Sequence, residues 1–183
     1  MKTVAILFSG QGTNFAYLAE HLPAYGIRIA AALTNNPEAG GIAVARTHDI
    51  PLEVVDHRKF IDREAFDAEV VRRLEQYAPD LTVLAGFMRI VTPVFTEQIR
   101  AINLHPSLLP RHKGLHAIER SYADSHDEGG VSVHWVSSEL DGGEIVLQKC
   151  VEKKTLSLET YTATIRQIEK QTLLEAVIQI LGK

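Results

Sequence analysis

The sequence predicts the α/β class: a Rossmann-like, mostly parallel twisted sheet with helices on both faces and an antiparallel C-terminal hairpin. Three observations carry that reading. Short apolar runs alternate with stretches of helical periodicity between residues 3 and 104, and parallel strands need such crossovers. Turn-forming residues punctuate the runs, as at Ser9-Gly10, Pro79-Asp80 and His105-Pro106. From residue 131 the alternation gives way to two strand-like runs joined by one turn segment, the pattern of a hairpin.

Thr3–Phe8 is an apolar run closed by Ser9-Gly10 and reads as a buried strand. A first helix follows the glycine loop. Ile27–Leu33 and Leu52–Val55 are the next strands, separated by a helical stretch over Ala39–Thr47. Phe66, Val70, Leu74 and Tyr77 recur at helical spacing behind Asp62, a suitable N-cap. Pro79-Asp80 closes that helix, and Leu81–Ala85 is another central strand. Pro93–Ile99 reads as a short helix and Ala101–Leu104 as a fifth strand. Val131–Val136 and Glu144–Val151 form the hairpin around Ser137–Gly143. The last helix runs from Leu158 to Leu181, with Tyr161, Ile165, Ile168, Leu173, Val177 and Ile180 along one face. Ligands of open α/β sheets sit beyond the carboxyl ends of the strands. The loops after the first, fourth and fifth strands should therefore converge.

The 183 residues fit a single domain, 1–183, able to bury about 70% of its unfolded surface. A net charge of -4 argues against a nucleic-acid partner, which would call for a basic patch. One cysteine, Cys150, excludes an intrachain disulfide and gives no sign of an oxidising compartment. It lies in an apolar-rich stretch and reads as a packed thiol. Val4–Phe8 is too short for the hydrophobic region of a signal peptide, and no window is long enough to cross a bilayer. The expected location is the cytoplasm, away from membranes.

Three motifs carry chemistry. In Ser9-Gly10-Gln11-Gly12-Thr13-Asn14-Phe15 the glycines let backbone N–H groups approach an anion, and a helix start favours negative charge. A tight turn with a Thr13 or Asn14 cap explains the same residues, since the full dinucleotide and triphosphatase fingerprints are both missing. Asn103 and His105 project to one side of a strand, and Pro106 keeps His105 extended. Their amide and imidazole suit a developing oxyanion and proton transfer at neutral pH. Asp141, on Leu140-Asp141-Gly142-Gly143, supplies a carboxylate on a tight turn; turn chemistry alone explains it equally well. His112, His116, His126 and His134 form no zinc pattern, and no serine-hydrolase elbow exists. Arg63 stands at a helix start that can face a ligand cleft.

Taken in order over nearly the whole chain, several landmarks resemble the phosphoribosylglycinamide formyltransferase family, folate-dependent enzymes of purine biosynthesis. They are Ser-Gly-Gln-Gly-Thr-Asn (9–14), Leu-Ala-Gly-Phe-Met-Arg-Ile (84–90), Ile-Asn-Leu-His-Pro-Ser-Leu-Leu-Pro (102–110), Lys-Gly-Leu-His-Ala (113–117), Ser-Val-His (132–134) and Glu-Leu-Asp-Gly-Gly (139–143). The resemblance implies the formyltransferase fold and transfer of a formyl group from 10-formyltetrahydrofolate, a co-substrate, to the amine of glycinamide ribonucleotide, with no metal. Residue by residue, the catalytic positions fall on Asn103, His105 and Asp141. Asn103 and His105 would stabilise the oxyanion; Asp141 would support His105 and water-mediated proton transfer. The ribonucleotide and its phosphate would meet Gly12, Thr13, Asn14 and Phe15, and also Arg166, Gln167, Ile168 and Glu169 on the last helix. The folate would meet Arg63, Met88, Arg89, Ile90, Val91, Asn103, Leu140 and Asp141. His116 and Ser132 match supporting residues. The implied partners are these small molecules, with a monomer or a homodimer as the assembly.

Two departures stand out. Gly129-Gly130-Val131 replaces a His-Gly-Thr expected before Ser132, which is expected to alter the wall of the folate pocket. The chain also ends at Lys183, short of the tail many such enzymes carry, a change expected at the surface only. A formylfolate hydrolase and a tRNA formyltransferase would share Asn103, His105 and Asp141. Each is expected to bring an additional domain, before or after this one. A non-catalytic nucleotide sensor on the same scaffold would need no Asn-x-His with a paired Asp.

Overall fold

The computed structural model describes residues 1–182. Seven strands form one sheet: β1 (Lys2–Phe8), β2 (Ile27–Thr34), β3 (Leu52–Val54), β4 (Leu81–Leu84), β5 (Ala101–His105), β6 (Glu128–Trp135) and β7 (Ile145–Glu152). Their spatial order is β3-β2-β1-β4-β5-β6-β7. The first five run parallel, whereas β6 is antiparallel to both β5 and β7. Among the described residues six α-helices surround the sheet: α1 (Thr13–His21), α2 (Gly41–Thr47), α3 (Arg63–Glu75), α4 (Pro93–Thr96), α5 (Ala117–Ala123) and α6 (Leu158–Leu181), with 3-10 turns at Leu22–Tyr25 and His57–Lys59. The expected α/β architecture, parallel sheet and C-terminal hairpin are all present.

β1 is apolar at consecutive positions because both its faces are covered. Val4, Ile6 and Phe8 pack on one side with Phe15 and Leu18 of α1 and Leu173 and Val177 of α6. Ala5 and Leu7 pack on the other with Phe66, Val70 and Leu74 of α3. From β1 the chain moves one way to β2 and β3 and the other way to β4 and β5. That reversal opens a crevice at the carboxyl ends of β1 and β4.

Two helices start on side-chain caps, of which Asp62 was expected and Ser157 was not. The Asp62 carboxylate accepts from the Ala65 amide at 2.7 Å and starts α3. Ser157 accepts from the Thr160 amide at 3.1 Å and starts α6. Other boundaries shift. Tyr77 lies beyond α3 and donates its hydroxyl to Glu53 at 2.7 Å. Helix α2 begins at Gly41, and α4 is one turn that continues as turn bonds to Ile99. Helix α5 was not foreseen from the sequence; its seven residues bury Ala117, Ile118 and Ser121.

The hairpin brings two corrections. β6 begins at Glu128, so Gly129 and Gly130 lie within a strand. A Cβ on Gly129 would stand 1.8 Å from the Tyr161 hydroxyl, and one on Gly130 would stand 2.1 Å from the Lys149 carbonyl. Close approach, rather than strand propensity, accounts for these glycines. Residues 129–131 are absent from the lining of the cavity described below, where the sequence predicts a changed wall; beside Gly129 the Tyr161 hydroxyl occupies the space of a side chain. Cys150 is exposed rather than packed, because β7 is an edge strand and successive side chains alternate in direction. No described helix is long and apolar enough to cross a membrane.

Candidate active site

The loops after β1, β4 and β5 do converge. The Ser9 amide donates to the Gly86 carbonyl at 3.0 Å, and the Met88 amide donates to the Ser9 hydroxyl at 2.8 Å. Beyond them opens a cavity of about 680 Å³, a size suited to small molecules. Asn103, His105 and Asp141 all line it.

β5 delivers Asn103 and His105 on one face, as the two-residue spacing requires. Ser132, fully buried on β6, fixes the loop that follows. Its hydroxyl donates to the Ser107 carbonyl at 2.7 Å and accepts from the Leu109 amide at 3.0 Å. Asp141 takes a left-handed backbone, φ 51, in the turn between β6 and β7. Its Oδ2 lies 3.4 Å from His105 Nδ1 and accepts from the Gly114 amide at 2.9 Å. His105 and Asp141 are both almost fully buried. Burial alone would raise the Asp141 pKa; His134, the Gly114 amide and His105 outweigh it and hold the carboxyl below its usual range. Nε2 of His105 stands 2.8 Å from the His112 carbonyl. Both ring nitrogens therefore face oxygen atoms, one of Asp141 and one of the His112 carbonyl.

His134 joins this group and was not singled out for it from the sequence. It lies opposite Asn103 in the β5–β6 register, its Nε2 3.2 Å from the Asn103 amide nitrogen and 3.6 Å from Asp141 Oδ1. Its Nδ1 donates to the Trp135 carbonyl at 2.9 Å. The available signal was its alternation with Ser132 on one strand, but strand pairing was needed to place it beside Asn103.

At the far side α6 brings Arg166 and Glu169 to the cavity, where Asn14 meets them. Glu169 is 4% exposed, with Arg166 Nη1 at 2.8 Å. Burial pushes its pKa up, against the pull of Arg166 and the Asn14 amide. The Asn14 Oδ1 is buried without a partner in the described structure. Gly12 caps α1 at φ 75 with no side-chain cap bond, so the first-turn amides stay available to an anion. The alternative of a Thr13 or Asn14 cap is not realised. Phe15 turns into the core against Phe8, and Thr13 is exposed.

The other mouth of the cavity is apolar. Met88, Ile90, Leu115 and Leu140 line it with substantial exposure. Arg89 lies 5.6 Å above the Phe66 ring, its Nε buried without a partner in the described structure. Val91 and His116 complete the lining from the expected residues. Gly12, Thr13, Phe15, Arg63, Ser132, Gln167 and Ile168 stand outside it. Arg63 is exposed at the start of α3, while Ile168 packs with Tyr161 and Ile165.

Known proteins share this arrangement of sequence and fold. The family profile described as "Formyl transferase" matches residues 2–177. Phosphoribosylglycinamide formyltransferase of Escherichia coli is 38% identical over 149 residues, which is 79% of this chain and 70% of that protein. The enzyme of that name from Haemophilus influenzae is 39% identical over 152 residues, 81% of this chain and 72% of its own length. The crystal structure of phosphoribosylglycinamide formyltransferase from Campylobacter jejuni superposes with a TM-score of 0.95 at 44% identity, covering 98% of this chain and 97% of that one. With the fold, the profile and these relatives in agreement, the chain belongs to the formyl transferase family and is a transferase.

Proposed function

We propose that the protein transfers the formyl group of 10-formyltetrahydrofolate to the amine of glycinamide ribonucleotide. The products would be formylglycinamide ribonucleotide and tetrahydrofolate. The observation that carries this reading is the meeting of Asn103, His105 and Asp141 on one wall of the cavity. The named relatives support the choice of acceptor.

The residues present fit a folate. The apolar mouth at Met88, Ile90 and Leu140 suits a flat conjugated ring, and the guanidinium charge of Arg89 on the same lining suits a carboxylate. Val91 lines this side of the cavity, and Arg63, exposed outside it, would meet the folate tail. The folate supplies the formyl group on a ring-linking nitrogen. At the other end Asn14, with the amides of Gly12, Thr13 and Phe15, would receive the phosphate. Glu169, with Arg166 beside it and Gln167 and Ile168 on the same helix, would orient the amino end.

In the reaction the neutral substrate amine attacks the formyl carbon, and the carbonyl oxygen gains negative charge. The Asn103 amide donates to that oxygen, and His105 adds a second donor through its loosely held Nδ1–H. Asp141 stays ionised beside the charged ring. A water held by Asp141 accepts the proton of the attacking nitrogen and returns one to the leaving folate nitrogen. The carbon–nitrogen bond to folate then breaks, so the proton count balances. His116 and Ser132 support the site, Ser132 through the loop it anchors. Holding both reactants in one cavity lowers the entropic barrier.

The test mixes purified protein with 10-formyltetrahydrofolate, with and without glycinamide ribonucleotide, and follows tetrahydrofolate release. Release that depends on the ribonucleotide supports the transferase. Release without it makes the protein a hydrolase, and no release with both ligands bound makes it a sensor.

A further inference from the structure

Behind the cavity wall three polar side chains are packed together that the transfer chemistry leaves unused. Lys153, 5% exposed, directs its ammonium to the Ser121 carbonyl and to Oδ1 of Asp124. The other oxygen of Asp124 lies 2.6 Å from Nε2 of His112. The His126 amide also donates to Asp124, at 2.9 Å. Burial opposes the charge on Asp124, yet Lys153, His112 and the His126 amide outweigh it and hold the carboxyl well below its usual range.

This group converges on one backbone carbonyl. His112 has φ 56, a conformation that costs a non-glycine residue energy unless its surroundings impose it. In that conformation its carbonyl oxygen lies 2.8 Å from His105 Nε2. Its neighbours in the loop have separate anchors. Ser132 holds Leu109, Ser107 holds the Arg111 carbonyl, and Asp141 holds the Gly114 amide. Among the described side chains, Asp124 is the one bonded to the His112 ring. A buried ammonium and a left-handed histidine each cost stability, and both lie in the chain of contacts that ends on His105.

We propose that His112, anchored by the Asp124–Lys153 pair, is a positioning residue for His105. Its carbonyl accepts the Nε2 proton and fixes the ring with Nδ1 toward Asp141 and the cavity. An imidazole held at one nitrogen has its orientation set at the other, as in metal sites where a second partner fixes a histidine ligand. This proposal rests on the reading that His105 takes part in formyl transfer.

The test measures kcat and KM for both substrates in His105→Ala, His112→Ala, His112→Gln and Asp124→Ala, with proton–nitrogen spectra of the His105 ring. Loss of the anchor is expected to lower kcat on the order of 10- to 100-fold, with both KM values little changed and the His105 ring signals shifted. His112→Gln, whose amide reaches the position of Nε2, restores much of the rate. Wild-type kcat in His105→Ala overturns the catalytic reading, and this proposal with it. If His105→Ala is inactive while His112→Ala and Asp124→Ala keep wild-type kcat and unchanged ring signals, this proposal alone is overturned. Should His112→Ala fail to fold, Asp124→Asn carries the test. Shifted His105 signals with lowered kcat support the proposal, and unchanged signals with unchanged kcat overturn it.

Discussion

Nδ1 of His105 lies 3.4 Å from Oδ2 of Asp141, and that same oxygen accepts the Gly114 amide at 2.9 Å. The carboxylate is thus already held by a firm neutral bond while its contact with the ring is long. A contact this long is a weak one, so on the proposed mechanism the Nδ1–H can be shared with an oxygen bound in the cavity while the ionised Asp141 stays beside the ring.

His105→Ala and Asp141→Asn are accordingly expected to lower kcat by about 10²–10⁴-fold, with smaller changes in substrate affinity. Because the Asp141 pKa is held below the usual carboxylate range, wild-type kcat should show no acid-side loss from this group until the pH falls below that range. Steady-state kinetics with ligand-binding titrations check this. Variants with full turnover and weakened binding would remove both residues from the chemistry.

Asn103 is expected to act as a donor to the same oxygen. Asn103→Ala should cost about 10²–10³-fold in kcat. His134→Ala, which removes the ring 3.2 Å from the Asn103 amide, should give a smaller loss in the same parameter. Equal losses in the two variants would mean that His134 contacts the reacting atoms itself.

Glu169 is expected to oppose function to stability. Its folded pKa is raised by burial, so its ionisation costs stability once the pH exceeds the ordinary range of an unfolded glutamate. Glu169→Gln removes that cost and should raise Tm at pH 7, with the gain vanishing in acid. The same change should raise KM for the ribonucleotide. Thermal melts at pH 7 and pH 4 with paired kinetics check both halves; a lowered Tm at neutral pH would contradict the argument.

Gly129 should not tolerate a side chain. A Cβ there stands 1.8 Å from the Tyr161 hydroxyl, which also bonds Ser121 at 2.9 Å. Gly129→His is expected to destabilise the protein by about 1–3 kcal/mol or more through overpacking, measured by denaturant unfolding. Since the cavity wall lies elsewhere, KM for the folate should hold in the fraction that folds. A raised folate KM with wild-type stability would return Gly129 to the pocket.

Acid stability should depend on paired, partly buried carboxylates. Asp124 is held well below its usual range, and Glu69 is lowered to about 2 by Arg72 and Arg73 despite a desolvation cost. Depressed folded pKa values mean that the unfolded chain binds more protons in acid, so stability rises with pH there. It should be complete above the unfolded carboxylate range, about pH 4, and fall as the pH drops toward 2. Asp124→Asn should flatten that fall; an unchanged acid transition would show the pair contributes nothing.

Much of the architecture was legible because its signals are local. Consecutive apolar residues in β1, the Asp62 cap, and the apolar face of α6 each report on neighbours in the chain. Asn103 and His105 were readable for the same reason, since a strand sends positions two apart to one side. Signals with a distant cause were misread. Gly129 and Gly130 conceal the start of β6 because their lack of side chains answers Tyr161 and Lys149. Helix α5 is seven residues long, too short for periodicity to announce it. Cys150 looked packed among apolar neighbours, but exposure depends on which edge a strand occupies.

By itself the sequence determined the α/β class, the parallel order of the first half, the closing hairpin, and which amide, imidazole and carboxylate to follow. These rest on periodicity, capping and residue chemistry, all written along the chain. Only the tertiary structure decided that Asp141 reaches His105, that His134 lies between Asn103 and Asp141, and that His112 turns its carbonyl onto His105. Such contacts join residues through strand pairing and loop packing, and their distances are set by the whole core rather than by any segment's own preferences.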